Sequence, residues 1–133
     1  MHKYITVDDI YNLFGYIADD SENPFSDNGE CVYTSKDGYH CIVGDILIKL
    51  GFELPDADDF QNSIPVDQLI DNLYANDFDD DAVEMLIVGQ RTADSLTYAG
   101  NPLAWGMAKI EMMNYRLRSR EEKIAQRRLQ AGH

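Results

Sequence analysis

Apolar residues recur at helical spacing along most of this chain, and the runs are separated by recognisable start and stop signals. Val7, Ile10, Tyr11, Phe14 and Ile17 share one face of a helix that the spacing carries to about Asp20. Thr6 is its expected N-cap, with Asp9 three residues on as a weaker relative of the capping box. Ile5 and Ile10 form a hydrophobic staple around it. Residues 21–30 read as a loop by composition. Residues 31–34 and 39–42 flank Ser-Lys-Asp-Gly, which predicts a short β-hairpin turning at Asp37-Gly38. A lone hairpin is marginal unless helices pack on it. Ile42, Val43, Ile46, Leu47 and Leu50 then make a helical stripe that stops at Gly51, a C′ glycine.

Residues 53–62 form an acidic loop containing Pro55, and Pro65 sits where the next helix begins. Val66, Leu69, Ile70 and Leu73 are its stripe. Residues 77–81 precede another helix, with Asp79 as cap, Phe78 and Val83 as staple, and further acids matched to the helix dipole. That helix runs to about Ala99 and ends at Gly100. Asn101-Pro102 starts the last one, along which Leu103, Met107, Ile110, Met113 and Leu117 keep helical spacing. After Leu117 only Ile124 and Leu129 stand among Arg, Lys, Glu and Gln, so the helix is expected to project beyond the body. The expected fold is mostly α, about five helices around one core with a small β-hairpin near residues 31–42. Gly44, Gly89 and Gly106 lie inside stripes, where each costs up to ~1 kcal/mol relative to Ala. Close helix–helix approach is the expected reason, and Gly89 and Gly106 flank the Gly100 turn of two antiparallel helices.

Charge divides the chain. Residues 1–108 hold 21 of the 24 acidic side chains and four basic ones, a net of −17. Residues 109–133 hold the other seven basic residues against three acids, a net of +4. An acidic globular helical domain over residues 1–115 and a basic helical arm over 116–133 follow. The body should be repelled by nucleic acid and anionic lipid, so any contact with nucleic acid falls to the arm. No segment approaches the ~20 apolar residues that span a bilayer. The first four residues carry no apolar run of the signal-peptide kind. Two cysteines in 133 residues do not make a disulfide scaffold, so a reduced, cytoplasmic protein is expected.

Candidate chemistry is sparse. Cys31, His40 and Cys41 fit zinc poorly, because a structural site wants four ligands and adjacent strand residues point to opposite faces. If the hairpin loop is residues 35–38, His40 shares a face with Cys31, which admits a thiol nucleophile and base but nothing that orients them. Asp77, Asp79, Asp81 and Glu84 suggest a calcium loop until the sixth and twelfth positions are read as Ala82 and Val88. No metal, cofactor or catalytic set is therefore expected. The candidate binding residues are the carboxylates Asp56, Asp58, Asp59, Asp79, Asp80 and Asp81, and the arm's Arg116, Arg118, Arg120, Lys123, Arg127 and Arg128.

The run from Cys31 through Cys41-Ile-Val-Gly44, with Leu47 and Leu50-Gly51, is followed by Gln90, Ala93-Asp94 and Trp105-Gly-Met-Ala108. Over residues 31–108 this pattern resembles small proteins of bacteriophages that infect actinobacteria, and of their prophages. The resemblance implies a phage setting and a host-cell cytoplasmic location, and nothing catalytic. The leading expectation is a non-enzymatic interaction protein that binds a host or viral protein through charged surfaces, one form of which is mimicry of nucleic acid by carboxylate rows. The alternatives are a small nucleic-acid-binding regulator that uses the arm, one form of which is a homodimer, and a thiol enzyme built on Cys31 and His40.

Overall fold

The computed structural model describes residues 4–19, 33–34 and 40–131. Among them are α1 (Val7–Tyr11), a 3-10 turn (Phe14–Tyr16), α2 (Ile42–Lys49), a second 3-10 turn (Phe60–Ser63), α3 (Val66–Leu73), α4 (Asp80–Tyr98) and α5 (Ala104–Ala131). The mostly-α expectation holds. α4 and α5 form a long antiparallel hairpin, and the shorter helices pack on α4 to enclose one core. Ile10, Ile42, Val43, Ile46, Leu47, Leu69, Ile70, Met85, Leu86 and Met112 are fully buried in it. Phe52, Tyr74 and Phe78 close one end as an aromatic cluster, with ring centroids 5.0, 5.2 and 6.3 Å apart.

The helix ends follow the local signals. Thr6 caps α1 in a full capping box with Asp9. Gly51 (φ 95°) and Gly100 (φ 80°) close α2 and α4. In each case the amide after the glycine reaches back five residues: Phe52 N–H to Leu47 O at 3.0 Å, and Asn101 N–H to Leu96 O at 2.9 Å. Asp79 is the N-cap residue of α4, but its side chain makes no capping bond. Its backbone instead pairs with Ile5, in an isolated parallel bridge between Ile5 and Phe78.

Three expectations change. First, the helix expected to reach Asp20 stops at Tyr11 and resumes as a 3-10 turn. Beyond the break, Lys109 ties the segment to α5: its ammonium donates to Phe14 O (3.2 Å) and Ile17 O (2.6 Å) and pairs with Asp19. Phe14 O also accepts the 3-10 bond from Ile17 N–H (3.3 Å), so the Lys109 bond adds to the turn and holds it against α5. Second, no strand occurs among the described residues, and most of the expected hairpin (31–32 and 35–39) lies outside them. Thr34 exchanges two backbone bonds with the side chain of buried Asn62, at 2.8 Å each, and Tyr33 donates its hydroxyl to Ile64 O. Ile42 already belongs to α2.

Third, α5 turns the Leu103, Met107, Ile110 and Leu117 stripe away from the body, while Trp105 and Tyr115 pack against the core. Its buried positions are Ala104, Ala108, Met112 and Ser119, while Leu103, Met107, Ile110 and Leu117 are exposed. Ala104, Ala108 and Met112 face α4 instead, and the missing side chain of Gly89 leaves the space that the Met112 thioether fills, since a Cβ there would overlap it. Gly106 serves a different neighbour: it faces Asp19 and donates its amide to Asp19 O at 2.8 Å. Gly44 lies against the Tyr33 carbonyl, 2.5 Å from where a Cβ would stand.

Candidate functional site

α5 is moored to the body by ion pairs on its inward side. Tyr115, Ser119 and Lys123 recur every four residues and so stack on one face of the helix. All three donate to Asp81 in the first turn of α4: Tyr115 Oη at 3.3 Å, Ser119 Oγ at 3.0 Å and Lys123 Nζ at 2.7 Å. The Lys123 hydrogen bond, helped by Ser119 and Tyr115 and opposed by burial, holds the Asp81 carboxyl below the usual aspartate range. Burial, with the Asp81 charge, pushes the Tyr115 hydroxyl up to about 12. The Asp81 hydrogen bond raises the Lys123 ammonium above its ordinary value. One turn nearer the body's other edge, Arg116 Nε donates to Asp8 at 2.7 Å while its guanidinium lies 4.3 Å from the ring centre of Tyr11.

The six basic candidates therefore divide by direction. Arg116 and Lys123 are engaged with the body. Arg118, Arg120, Arg127 and Arg128 are exposed and make no ion pair among the described residues. Ser119 is the last buried residue of α5, and every later described residue is exposed. At 1.5 Å per residue, the helix runs roughly 18 Å beyond it.

The acidic candidates divide as well. Asp56, Asp58 and Asp59 are exposed on the loop before the second 3-10 turn, where Asp59 also accepts from Gln61 N–H at 2.9 Å. Asp79 is half-buried at the α4 cap, Asp80 is exposed, and Asp81 is taken up by α5. Exposed Glu53, Asp67, Asp71 and Glu84 lie on the same consecutive elements and, like Asp56, Asp58, Asp59 and Asp80, have no ion pair among the described residues.

A pocket of about 370 Å³ opens between α3 and α4, lined by Tyr33, Val66, Ile87, Gln90, Arg91 and Asp94 among others. Its central polar group, Gln90, is buried and bridges two helices. Its carbonyl accepts from Val43 N–H (3.4 Å), and its amide donates to Asp94 (2.7 Å). Val43 N–H is one of the orphan donors at the start of α2, and Cys41 Sγ accepts the next from Gly44. Gln90 thus caps a helix from outside it. Burial raises the Asp94 carboxyl above the usual range, and the Gln90 bond partly offsets this. The sequence signal was a polar residue on the buried stripe of α4, between Gly89 and Ala93.

Among the described residues no three His, Cys, Asp or Glu side chains gather as a metal site, and no helix is long and apolar enough to cross a membrane. Cys31 of the thiol-enzyme reading lies outside the described residues. His40 directs Nδ1 to Tyr33 O at 2.9 Å. No protein-family model, curated protein or solved structure matches the chain.

Proposed function

We propose that this chain is a non-enzymatic, phage-encoded interaction protein that binds a host or viral protein through its charged surfaces. The observation that carries the reading is the sorting of charge. Four cations are paired with carboxylates: Lys109–Asp19, Arg116–Asp8 and Lys123–Asp81 join α5 to the body, and Lys49–Asp45 lies along α2. What remains is an outward set of arginines on α5, with Arg91 on α4, and an outward set of carboxylates between Glu53 and Glu84, none with an ion pair among the described residues. Unpaired surface charge steers encounters and selects partners more than it stabilises a fold. The phage setting rests on the resemblance over residues 31–108.

The test is a tagged pull-down from nuclease-treated actinobacterial lysate at low and moderate salt. It compares the wild type with Asp56→Asn/Asp58→Asn/Asp59→Asn and with Arg118→Gln/Arg120→Gln/Arg127→Gln/Arg128→Gln. One host protein that is enriched, released as salt rises and lost in either charge variant supports the reading. A second reading, a nucleic-acid-binding regulator, is favoured by the four free arginines standing clear of the acidic body. If all four meet phosphates, log K falls with log salt at a slope of roughly −4. Such binding, with no protein enriched and loss only in the arginine variant, would replace the first reading.

A further inference from the structure

We infer that the protein is an antiparallel homodimer, paired along the outward face of α5. Three apolar side chains stand on that face seven residues apart, Ile110, Leu117 and Ile124, exposed by 52, 44 and 39%, and Leu103, in the turn just before the helix and 55% exposed, precedes them by the same interval. Met107 lies beside the line and is 43% exposed. In a lone straight helix a seven-residue repeat serves no purpose, since it drifts by ~20° per heptad. Paired helices that coil slightly keep it facing a neighbour. The body leaves room for that neighbour on both sides of the ridge. One groove, of about 450 Å³, runs against Arg91, Thr92, Ser95 and Leu96 of α4. The other, of about 350 Å³, runs against Phe14 and Asp19. A ridge flanked by two grooves is the relief into which the ridges of a second helix pack.

Charge selects the occupant and its direction. A parallel pair would place two bodies of net −17 at one end and two arginine sets at the other. An antiparallel pair lays each basic arm over the acidic body of the other copy. Turned about a two-fold axis between Met113 and Asn114, Leu103 meets Ile124 of the second copy and Ile110 meets its Leu117, so all four apolar positions are matched at once. Helical periodicity puts Arg118 and Glu111 on the same flank of the ridge, about 20° apart around the axis. Arg118 therefore comes beside Glu111 of the second copy, twice by symmetry. Asn114 sits next to the axis, where its amide can donate to and accept from its own counterpart, a device that sets register in paired helices. The pairing also supports the turns beyond Ser119, which make no buried contact with their own body and are too few to be stable as an isolated helix.

The experiment is sedimentation velocity with the full chain from 5 to 200 μM, alongside Ile110→Gln/Leu117→Gln. Both positions are half exposed in the folded chain, so the double variant removes apolar surface without a core defect or a change of charge. A wild-type mass of twice 15.1 kDa, falling to 15.1 kDa in the variant with its helical circular dichroism intact, is the expected result. A wild-type monomer throughout, a variant that stays dimeric, or an open series of larger assemblies overturns the proposal. Direction is read separately in a Cys31→Ser/Cys41→Ser background. Leu103→Cys chains mixed with Ile124→Cys chains should form a mixed disulfide, and Leu103→Cys alone should not cross-link. The reverse pattern would refute the antiparallel arrangement even if a dimer forms.

Discussion

Asp81 ties the two longest helices together, and removing it should show which of its three donors matters. In Asp81→Ala, Ser119 is left buried with no acceptor for its hydroxyl, which costs roughly 1–3 kcal/mol. Lys123 is 55% exposed, so its ion pair is screened by water and contributes only about 0.2–1 kcal/mol. The Tyr115 bond, at 3.3 Å, is long and adds little. Asp81→Ala should therefore cost about 1–4 kcal/mol and Lys123→Ala less than about 1 kcal/mol. The double variant Asp81→Ala/Ser119→Ala should cost less than the two single changes taken separately, because the orphaned hydroxyl is gone. Urea denaturation followed by circular dichroism measures all of these. Hydrogen exchange should rise first over residues 115–123, where α5 loses its mooring. The Asp81 carboxyl is depressed in the folded protein, so its contribution is complete above its unfolded value near 3.9 and is lost as pH falls through the folded one. Acid unfolding should accordingly be shallower in Asp81→Asn than in the wild type. The Tyr115 hydroxyl, at about 12, should move back toward 10.0 in the same variant. If Lys123→Ala costs as much as Asp81→Ala, or if Asp81→Ala and Ser119→Ala are simply additive, the assignment of the energy to the buried hydroxyl is wrong.

Two further outcomes follow from the α4 packing face. Gly89→Ala gains up to ~1 kcal/mol of helix propensity but drives a methyl into the thioether of Met112, a flexible side chain that is fully buried and must repack. A net loss of about 1–3 kcal/mol in urea is expected, partly restored by Met112→Ala, and a gain in stability would show that α4 and α5 are less tightly apposed. Asp94→Asn keeps an acceptor for the Gln90 amide while removing a charge that burial disfavours. Because the folded Asp94 carboxyl is raised, its contribution is complete below the unfolded value near 3.9 and is lost as pH rises through the folded one. The variant should gain melting temperature over the wild type as pH goes from 4 to 7, and a constant or falling difference would contradict that sign.

The legible parts of this fold are the ones carried by local chemistry. Thr6 and Asp9, Gly51, Pro65, and Gly100 each act through backbone groups within a few residues, so their pattern is visible in the chain and reappears in the structure. The carboxylates and arginines were equally visible, but their roles were not. Whether Arg116 or Arg118 is free depends on which side of α5 faces the body. Gln90 showed only as a polar residue on an apolar stripe, since its partner, Val43 N–H, lies 47 positions away. Lys109 and Asn62 hide for the same reason: each satisfies backbone groups of a distant segment, and nothing near them in the chain reports that need.

The amino-acid sequence by itself determined a mostly helical chain, the main helix boundaries, the split between an acidic body and a basic arm, and the apolar spacing along α5. Only the tertiary structure decided which way that helix turns. Periodicity marks an apolar face but not its destination. The stripe of Leu103, Ile110 and Leu117 points outward, while Ala104, Ala108 and Met112 face α4, where the missing side chain of Gly89 leaves the space that Met112 fills. Steric fit between helices, a property of two segments together, overrode the hydrophobicity of one.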